Sequence, residues 1–187
     1  MIKLFVNAWK DKDIRKKILY TFLILAIIRL GVHIALPGID VASLLATESS
    51  QSTGTLYNII AGGANSRWSI FSLGIGPYIN ASIIIQLLTV AIPKLEQLNK
   101  EGEDGRKKLQ KMTRYLTVIL SIVQSVGTVY SYRSVFATSS MLIYVIDVVV
   151  LVCGSTFIMW LAETITEKAV TNGSSLIIFV NIVSNLP

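Results

Sequence analysis

Apolar residues gather into runs of membrane length at Ile18 to Leu36, Trp68 to Ile92, Tyr115 to Tyr132 and Met141 to Ala162, with short polar stretches between them. A shorter run follows from Leu176 to Leu186. Roughly twenty consecutive apolar residues predict a helix across a hydrocarbon core of about 30 Å. The last run reaches only about 16 Å at about 1.5 Å per residue. Started at Ser174, with Asn172 or Ser174 as N-cap, it approaches a crossing as the chain stops at Pro187. The pattern predicts an all-α membrane protein of five transmembrane helices that reads as unfinished. Five crossings leave the termini on opposite sides, as expected of one half of a fold built from two repeats of inverted topology. No repeat is visible within these residues, so a second half is expected beyond Pro187.

The second run carries Gly74, Gly76 and Pro77 near one end. Pro77 cannot donate to the carbonyl of Leu73, so a helix through this point leaves backbone unpaired at membrane depth, which lipid does not tolerate. The break therefore points to a pathway enclosed by protein. Ile75, Ile79 and Ile83 follow at intervals of four and share one helical face; the spacing alone favours lipid contact or core packing, while its position on the broken helix points to the pathway. Asn80 and Gln86 add amides to this run and Gln124 adds one to the third; each is expected to face another helix or water. Between the first two runs, Gly54 to Asn65 is too short and glycine-rich to cross and too apolar for a free loop. It reads either as a short re-entrant helix or as an amphipathic piece on the outer surface.

Composition agrees: 52% of the 187 residues are hydrophobic and 15% charged. The formal net charge of +6 does not signal nucleic-acid binding, because of seventeen Lys and Arg residues six precede Ile18 and seven lie between Lys94 and Arg114, beside apolar helices. That distribution predicts a cytoplasmic tail, a cytoplasmic Lys94 to Arg114 loop and a cytoplasmic segment around Lys168. The tail precedes a span too long for a signal-peptide core, so no removable leader is expected. Lys100-Glu-Gly-Glu-Asp-Gly-Arg-Lys-Lys108 reads as a solvated hairpin. Cys153 is the sole cysteine, which excludes an intrachain disulfide and a cysteine-rich metal site.

Arg29 and His33 share a face of the first span and Asp147 lies in the fourth. Proton relay and structural ion pairing are both open to such residues. Arg29 and Asp147 each stand about 10 Å from the outer end of their helices, which predicts that the two face each other or share a polar neighbour between the first and fourth helices, as a structural clamp and not a proton relay. No Gly-x-Ser-x-Gly elbow, Walker loop or His-Glu-x-x-His is present, and the single histidine furnishes no metal cluster. Neither an enzyme nor a cofactor is expected.

Five pieces of the chain are similar to one family. They are Ile70-Phe-Ser-Leu-Gly-Ile-Gly-Pro-Tyr-Ile-Asn-Ala-Ser-Ile-Ile-Ile-Gln-Leu-Leu-Thr-Val90, the Lys100 to Lys108 run, Thr113-Arg-Tyr115, Asn172-Gly-Ser-Ser-Leu-Ile-Ile-Phe-Val-Asn-Ile-Val-Ser-Asn-Leu-Pro187, and Arg29-Leu-Gly31 with Leu36-Pro-Gly-Ile-Asp40. With these, the chain resembles the N-terminal half of the SecY family, the central subunits of bacterial protein-conducting channels. The resemblance implies one half of an inverted-repeat, ten-helix channel with a short re-entrant plug helix. Its parts would be a cytoplasmic tail at 1–17, crossings at 18–36, 68–92, 115–132, 141–162 and 174–187, a plug at 54–66 and a cytoplasmic loop at 93–114. It implies a pore constriction from Ile75, Ile79, Ile83 and Ile178, and a plug carrying Leu56, Tyr57, Asn58, Ile59, Ile60, Gly62 and Gly63. The second and third spans would form one side of a lateral gate, with Asn80, Gln86 and Gln124 as polar members.

The implied activity is translocation of secretory polypeptides and lateral release of membrane-protein helices from the bacterial plasma membrane. The implied partners are nascent or unfolded polypeptide, SecE-like and SecG-like subunits, a SecA motor or ribosome, the second channel half and lipid. Three features depart from the family pattern: Ala169-Val-Thr171 where a glycine-rich turn is common, Ser174 in place of a branched apolar residue, and Asp147 in the fourth helix. The rival reading is half of an inverted-repeat secondary transporter with a midplane substrate site at the broken second helix. An intramembrane enzyme would need a serine within reach of His33.

Overall fold

Pro77 opens a helix where the sequence predicts a break inside one. In the computed structural model, which describes residues 12–36, 69–131, 141–168 and 172–184, the helix of the second apolar run begins at Gly76, with Pro77 in its first turn. An N–H missing there costs no helical bond, because the first turn has no intrahelical acceptors to lose. The described elements are α1 (Lys12–Val32), α2 (Gly76–Ala91), α3 (Pro93–Lys100), α4 (Glu103–Ser131), α5 (Met141–Lys168) and α6 (Gly173–Ser184). No strand is formed among the described residues; an isolated antiparallel bridge joins Ala35 to Ser69.

The helix ends follow from local chemistry. α1 starts six residues before the expected Ile18, and Asp13 in its first turn complements the helix dipole. α2 stops at Ala91 because Ile92 takes the extended conformation that precedes proline (φ −110°, ψ 114°), and Pro93 then opens α3 across a bend of 102°. The predicted loop is thus largely helical. Gly102, at φ +82°, turns the chain from α3 into α4, and Gly105 lets α4 lie against the Leu98 carbonyl, where a Cβ would clash. α4 consequently begins at Glu103, twelve residues before the expected start at Tyr115. Of the two candidate caps for α6, Asn172 serves: its Oδ1 accepts from the Ser174 N–H at 3.2 Å.

α4 packs between α2 and α5, while α5 also carries α6 and α1. One apolar cluster joins Ile24, Ile28 and Val32 of α1 to Phe71 and Ile75, to Ile158, Leu161, Ala162 and Ile165 of α5, and to Ile177 of α6. A second joins Leu36, Leu73, Val129 and Leu151. Leu30, Leu87, Val90, Tyr115, Val123, Tyr130, Leu142 and Phe179 remain exposed on the outside, an apolar surface that water would oppose and lipid accepts. α4 and α5 are each long and apolar enough to cross a membrane, and α2 with α3 qualifies as one bent pair. α6 is a shorter apolar helix.

Candidate pore-lining site

Residues 69–75, which lead into α2, are non-helical backbone. Its polar groups are paired locally: Ile70 N–H donates to Ile34 O at 3.0 Å, Ser72 N–H to Ser69 O at 2.9 Å and Gly74 N–H to Phe71 O at 2.8 Å. Gly74 adopts φ +56°, which only glycine enters freely. Ser69, Phe71, Ser72, Leu73 and Ile75 are all buried, so the turn is enclosed by protein as irregular backbone at membrane depth must be. Close packing holds it. Gly154 of α5 lies directly beneath the Ile70 carbonyl, Gly31 of α1 beneath the Phe71 ring, and Phe71 stacks on Phe157 with ring centroids 6.2 Å apart.

The turn delivers α2 onto the first apolar cluster and splits the expected isoleucine stripe. Ile75, only 2% exposed, belongs to the cluster itself; Ile79 of α2 and Ile178 of α6 are each partly buried and packed against it. Ile83, one turn further along α2, is 48% exposed and outside the cluster. Asn80 is exposed, and Gln86 donates weakly to Ser82 of its own helix at 3.3 Å. Gln124 is half-buried on α4. Among the described residues, no side-chain hydrogen bond joins these three amides to another helix. The expected plug residues Leu56, Tyr57, Asn58, Ile59, Ile60, Gly62 and Gly63 lie outside the described residues.

The expected pair of Arg29 with Asp147 is not formed. Arg29 Nη2 donates to the main-chain carbonyl of Val180 on α6 at 2.9 Å, and neither oxygen of the fully buried Asp147 carboxyl has a hydrogen-bond partner. Depth was matched but azimuth was not: Arg29 faces α6, whereas Asp147 shares the buried stripe of α5 that includes Leu151 and Ser155. His33 pairs through Nδ1 with the Arg29 carbonyl of its own helix at 2.9 Å.

The sequence reading missed an ion pair and a cleft. Arg114 of α4 donates from Nε to Glu163 Oε1 on α5 at 3.0 Å, with Oε2 2.8 Å from the same nitrogen as an ion pair, and Tyr78 of α2 stands within electrostatic reach of both. Nearby, Tyr78, Gln86, Thr89, Asn99, Arg106 and Gln110 line a polar cleft of about 440 Å³ between α2, α3 and α4. The one signal for the pair was position, since Arg114 and Glu163 stand at the ends of consecutive apolar runs. Among the described residues no group of His, Cys, Asp and Glu side chains could hold a metal ion.

The family model for SecY matches residues 69–187, which takes in the enclosed turn, α2 and all that follows. The chain belongs to the SecY family. It is 41% identical to the protein translocase subunit SecY of Corynebacterium glutamicum over 97% of this chain and 45% of that protein. Those of Streptomyces scabiei and Staphylococcus carnosus are each 40% identical over 100% of the chain, and 46% and 45% of their own lengths. The chain thus spans just under half the length of the curated SecY relatives it matches. Among solved structures, a protein-conducting channel superposes with a TM-score of 0.63 at 20% identity, covering 89% of this chain and 36% of that one. Sec61 in the canine ribosome–channel complex from the endoplasmic reticulum superposes at 0.62 and 19%, with the same coverage. The channel fold is therefore shared at low identity, and the transporter-half reading gives way to SecY membership.

Proposed function

We propose that this chain forms the first half of a protein-conducting channel that passes secretory polypeptides across the membrane and releases apolar helices sideways into lipid. The observation that carries this reading is the enclosed turn at 69–75, which sets α2 so that Ile79, like Ile178 of α6, packs partly buried against one apolar cluster. Branched apolar side chains offer a moving polypeptide no hydrogen bonds to hold it, and a narrow apolar ring dewets and so resists ion leakage. Under this reading Ile79, Ile83 and Ile178 border the constriction and Ile75 backs it from the core. Asn80, Gln86 and Gln124 stand on the gate helices α2 and α4, and residues 54–66 act as the plug.

Such a channel makes and breaks no bond, so the chain works as a conduit, not an enzyme, and needs no cofactor. Its basic tail and the Lys94 to Arg114 hairpin face the cytoplasm of a bacterial plasma membrane, where the positive charge is retained. Its partners are the second channel half, SecE-like and SecG-like subunits, the polypeptide in transit, surrounding lipid, and a SecA motor or ribosome. The ribosome finds support in the ribosome-bound state of the structurally similar canine channel.

The test is reconstitution. The chain is co-assembled with the second half and a SecE-like subunit in vesicles, a SecA motor and a secretory precursor are added, and protease protection of the precursor is followed. Protection that depends on this chain is expected. An assembly that forms and binds the motor yet protects no precursor would overturn the reading.

A further inference from the structure

α6, Gly173–Ser184, spans only about 18 Å at about 1.5 Å per residue, so the helices around it set how it lies. Gly173, Ile177 and Asn181 recur every four residues and are all buried, and Ile177 packs in the first apolar cluster. The start of the helix is fixed on α5. Gly173 lies on the Ala162 carbonyl with no room for a Cβ, and its N–H donates to Thr166 Oγ1 at 2.9 Å. An attachment at one end sets the position of a helix and leaves rotation about its axis open.

The second attachment is of another kind. Arg29 Nη2 of α1 donates to Val180 O at 2.9 Å. A side-chain acceptor could follow Arg29 by changing rotamer, but a main-chain carbonyl turns only with its helix, so this bond constrains α6 as a body. Val180 and Ile178 are two residues apart, or about 200° round the helix, so they stand on opposite flanks of the buried face. Ile178 is partly buried against the same cluster. Any rotation that loses the Arg29 bond therefore turns Ile178 as well. A charge at membrane depth is costly, and an apolar side chain would pack α1 against α6 at less cost. What the guanidinium adds is direction.

We propose that Arg29 is a positioning residue for the constriction: through the Val180 carbonyl it sets the rotation of α6, and so the direction in which Ile178 points. This rests on the channel reading above, in which Ile178 borders the constriction. Met at this position keeps an unbranched apolar stem and offers no donor, whereas Lys keeps a charge and a donor. A hydrogen bond to a charged group favours the held orientation over rotated ones by about tenfold or more.

The experiment uses the full assembled channel in vesicles, with Cys153 replaced by Ser and a single thiol introduced by Ile178→Cys or by Leu176→Cys. Residue 176 lies four before Val180 and shares its flank, so the two thiols report opposite sides of α6. Labelling by a membrane-impermeant thiol reagent is measured together with ion conductance. With Arg29 in place, Ile178→Cys is expected to label faster than Leu176→Cys. Arg29→Met should lower that ratio by about tenfold and raise the leak, and Arg29→Lys should bring both back toward the values with Arg29. Ile24→Ala removes part of the core on the same helix and keeps the tether, so it should lower thermal stability with the ratio unchanged.

A ratio and a leak that stay fixed in Arg29→Met while precursor is transported, or that move as far in Ile24→Ala, overturn the positioning role and leave the channel reading intact. If Arg29→Met fails to assemble, Arg29→Gln, neutral and too short to reach the carbonyl, takes its place in the same measurements. Labelling of Leu176→Cys as fast as that of Ile178→Cys with Arg29 in place also overturns the proposal. An unmodified assembly that binds the motor and transports no precursor overturns the reading beneath it.

Discussion

Arg29 reaches the main-chain carbonyl of Val180 at 2.9 Å, so the charge that equal depth assigns to α5 in fact ties α1 to α6. A guanidinium supplies up to five donors and a helix carbonyl accepts a second bond readily, which makes this a charge-assisted contact between two segments far apart in sequence. The carboxyl of Asp147 at similar depth has no such bond.

Removing the Arg29 side chain and neutralising Asp147 should therefore differ sharply. Arg29→Met is expected to destabilise the assembled protein by about 1.5–3 kcal/mol, the usual loss for a hydrogen bond to a charged group. Asp147→Asn gives up no hydrogen bond and should change stability by less than about 1 kcal/mol. The exchange Arg29→Asp with Asp147→Arg should fail to rescue, since the two do not meet. Unfolding in mixed micelles measures all three. A rescue by the exchange would restore the pairing that the geometry denies.

What the sequence disclosed and what it hid divide along physical lines. Runs of apolar residues mark helices because a membrane demands length, so α1, α2, α4, α5 and α6 were legible, and Asn172 was legible as a cap because its side chain competes for the first free N–H groups. α3 was hidden because Pro93 reads as a terminator of one helix when it is also the first residue of the next. The early start of α4 was hidden for a similar reason: Lys and Glu are good helix formers, and only the packing of Gly105 on Leu98 shows that the charged run is coiled and not a loop. Periodicity grouped Ile75 with Ile79 and Ile83 but carries no information about what covers each. Arg114 and Glu163 are separated by 49 residues, and that pairing needs the tertiary packing of α4 on α5.

Gly154 offers a test of the enclosed turn. A Cβ at this position would fall on the Ile70 carbonyl oxygen, a backbone atom that cannot rotate away. Gly154→Ala is expected to cost about 1–3 kcal/mol through overpacking and to perturb the turn that positions α2. Gly127, also within a helix, has open space around it, so Gly127→Ala should be neutral or slightly stabilising. Thermal unfolding of the two variants in parallel checks this. Equal behaviour would mean that α5 does not bear on the turn.

A pH-dependent contribution is expected in the α3 hairpin. Lys100 lies 2.6 Å from Glu96, and its hydrogen bond, followed by its charge, holds the Glu96 carboxyl below the ordinary glutamate range. A depressed carboxylate stabilises the fold above its unfolded titration range and loses that effect as pH falls through the folded one. Both groups are exposed, so the effect on stability should be slight. The sharper readout is the Glu96 titration by carbon-13 NMR, whose midpoint should rise in Lys100→Gln. An unmoved midpoint would leave the pair without energetic meaning.

The isoleucines separate lining from core. Ile75 is enclosed among Phe71, Ile158 and Ile177, so Ile75→Ala should leave a cavity and cost about 2–5 kcal/mol. Ile79 only borders that cluster, so Ile79→Gly should be milder per atom removed and should act on function instead. If Ile79 is part of the dewetting collar, its loss widens and wets the narrowest point, and ion conductance of the assembled channel in planar bilayers should rise while precursor transport persists. Because Gly also weakens a helix interior by about 1 kcal/mol, Ile79→Ala serves as the control with a side chain nearly as small. Both changes should raise conductance in the order Gly above Ala above Ile. An unchanged conductance in a channel that still transports precursor would place Ile79 outside the constriction, and a larger leak from Ile75→Ala than from Ile79→Gly would reverse the assignment of core and lining.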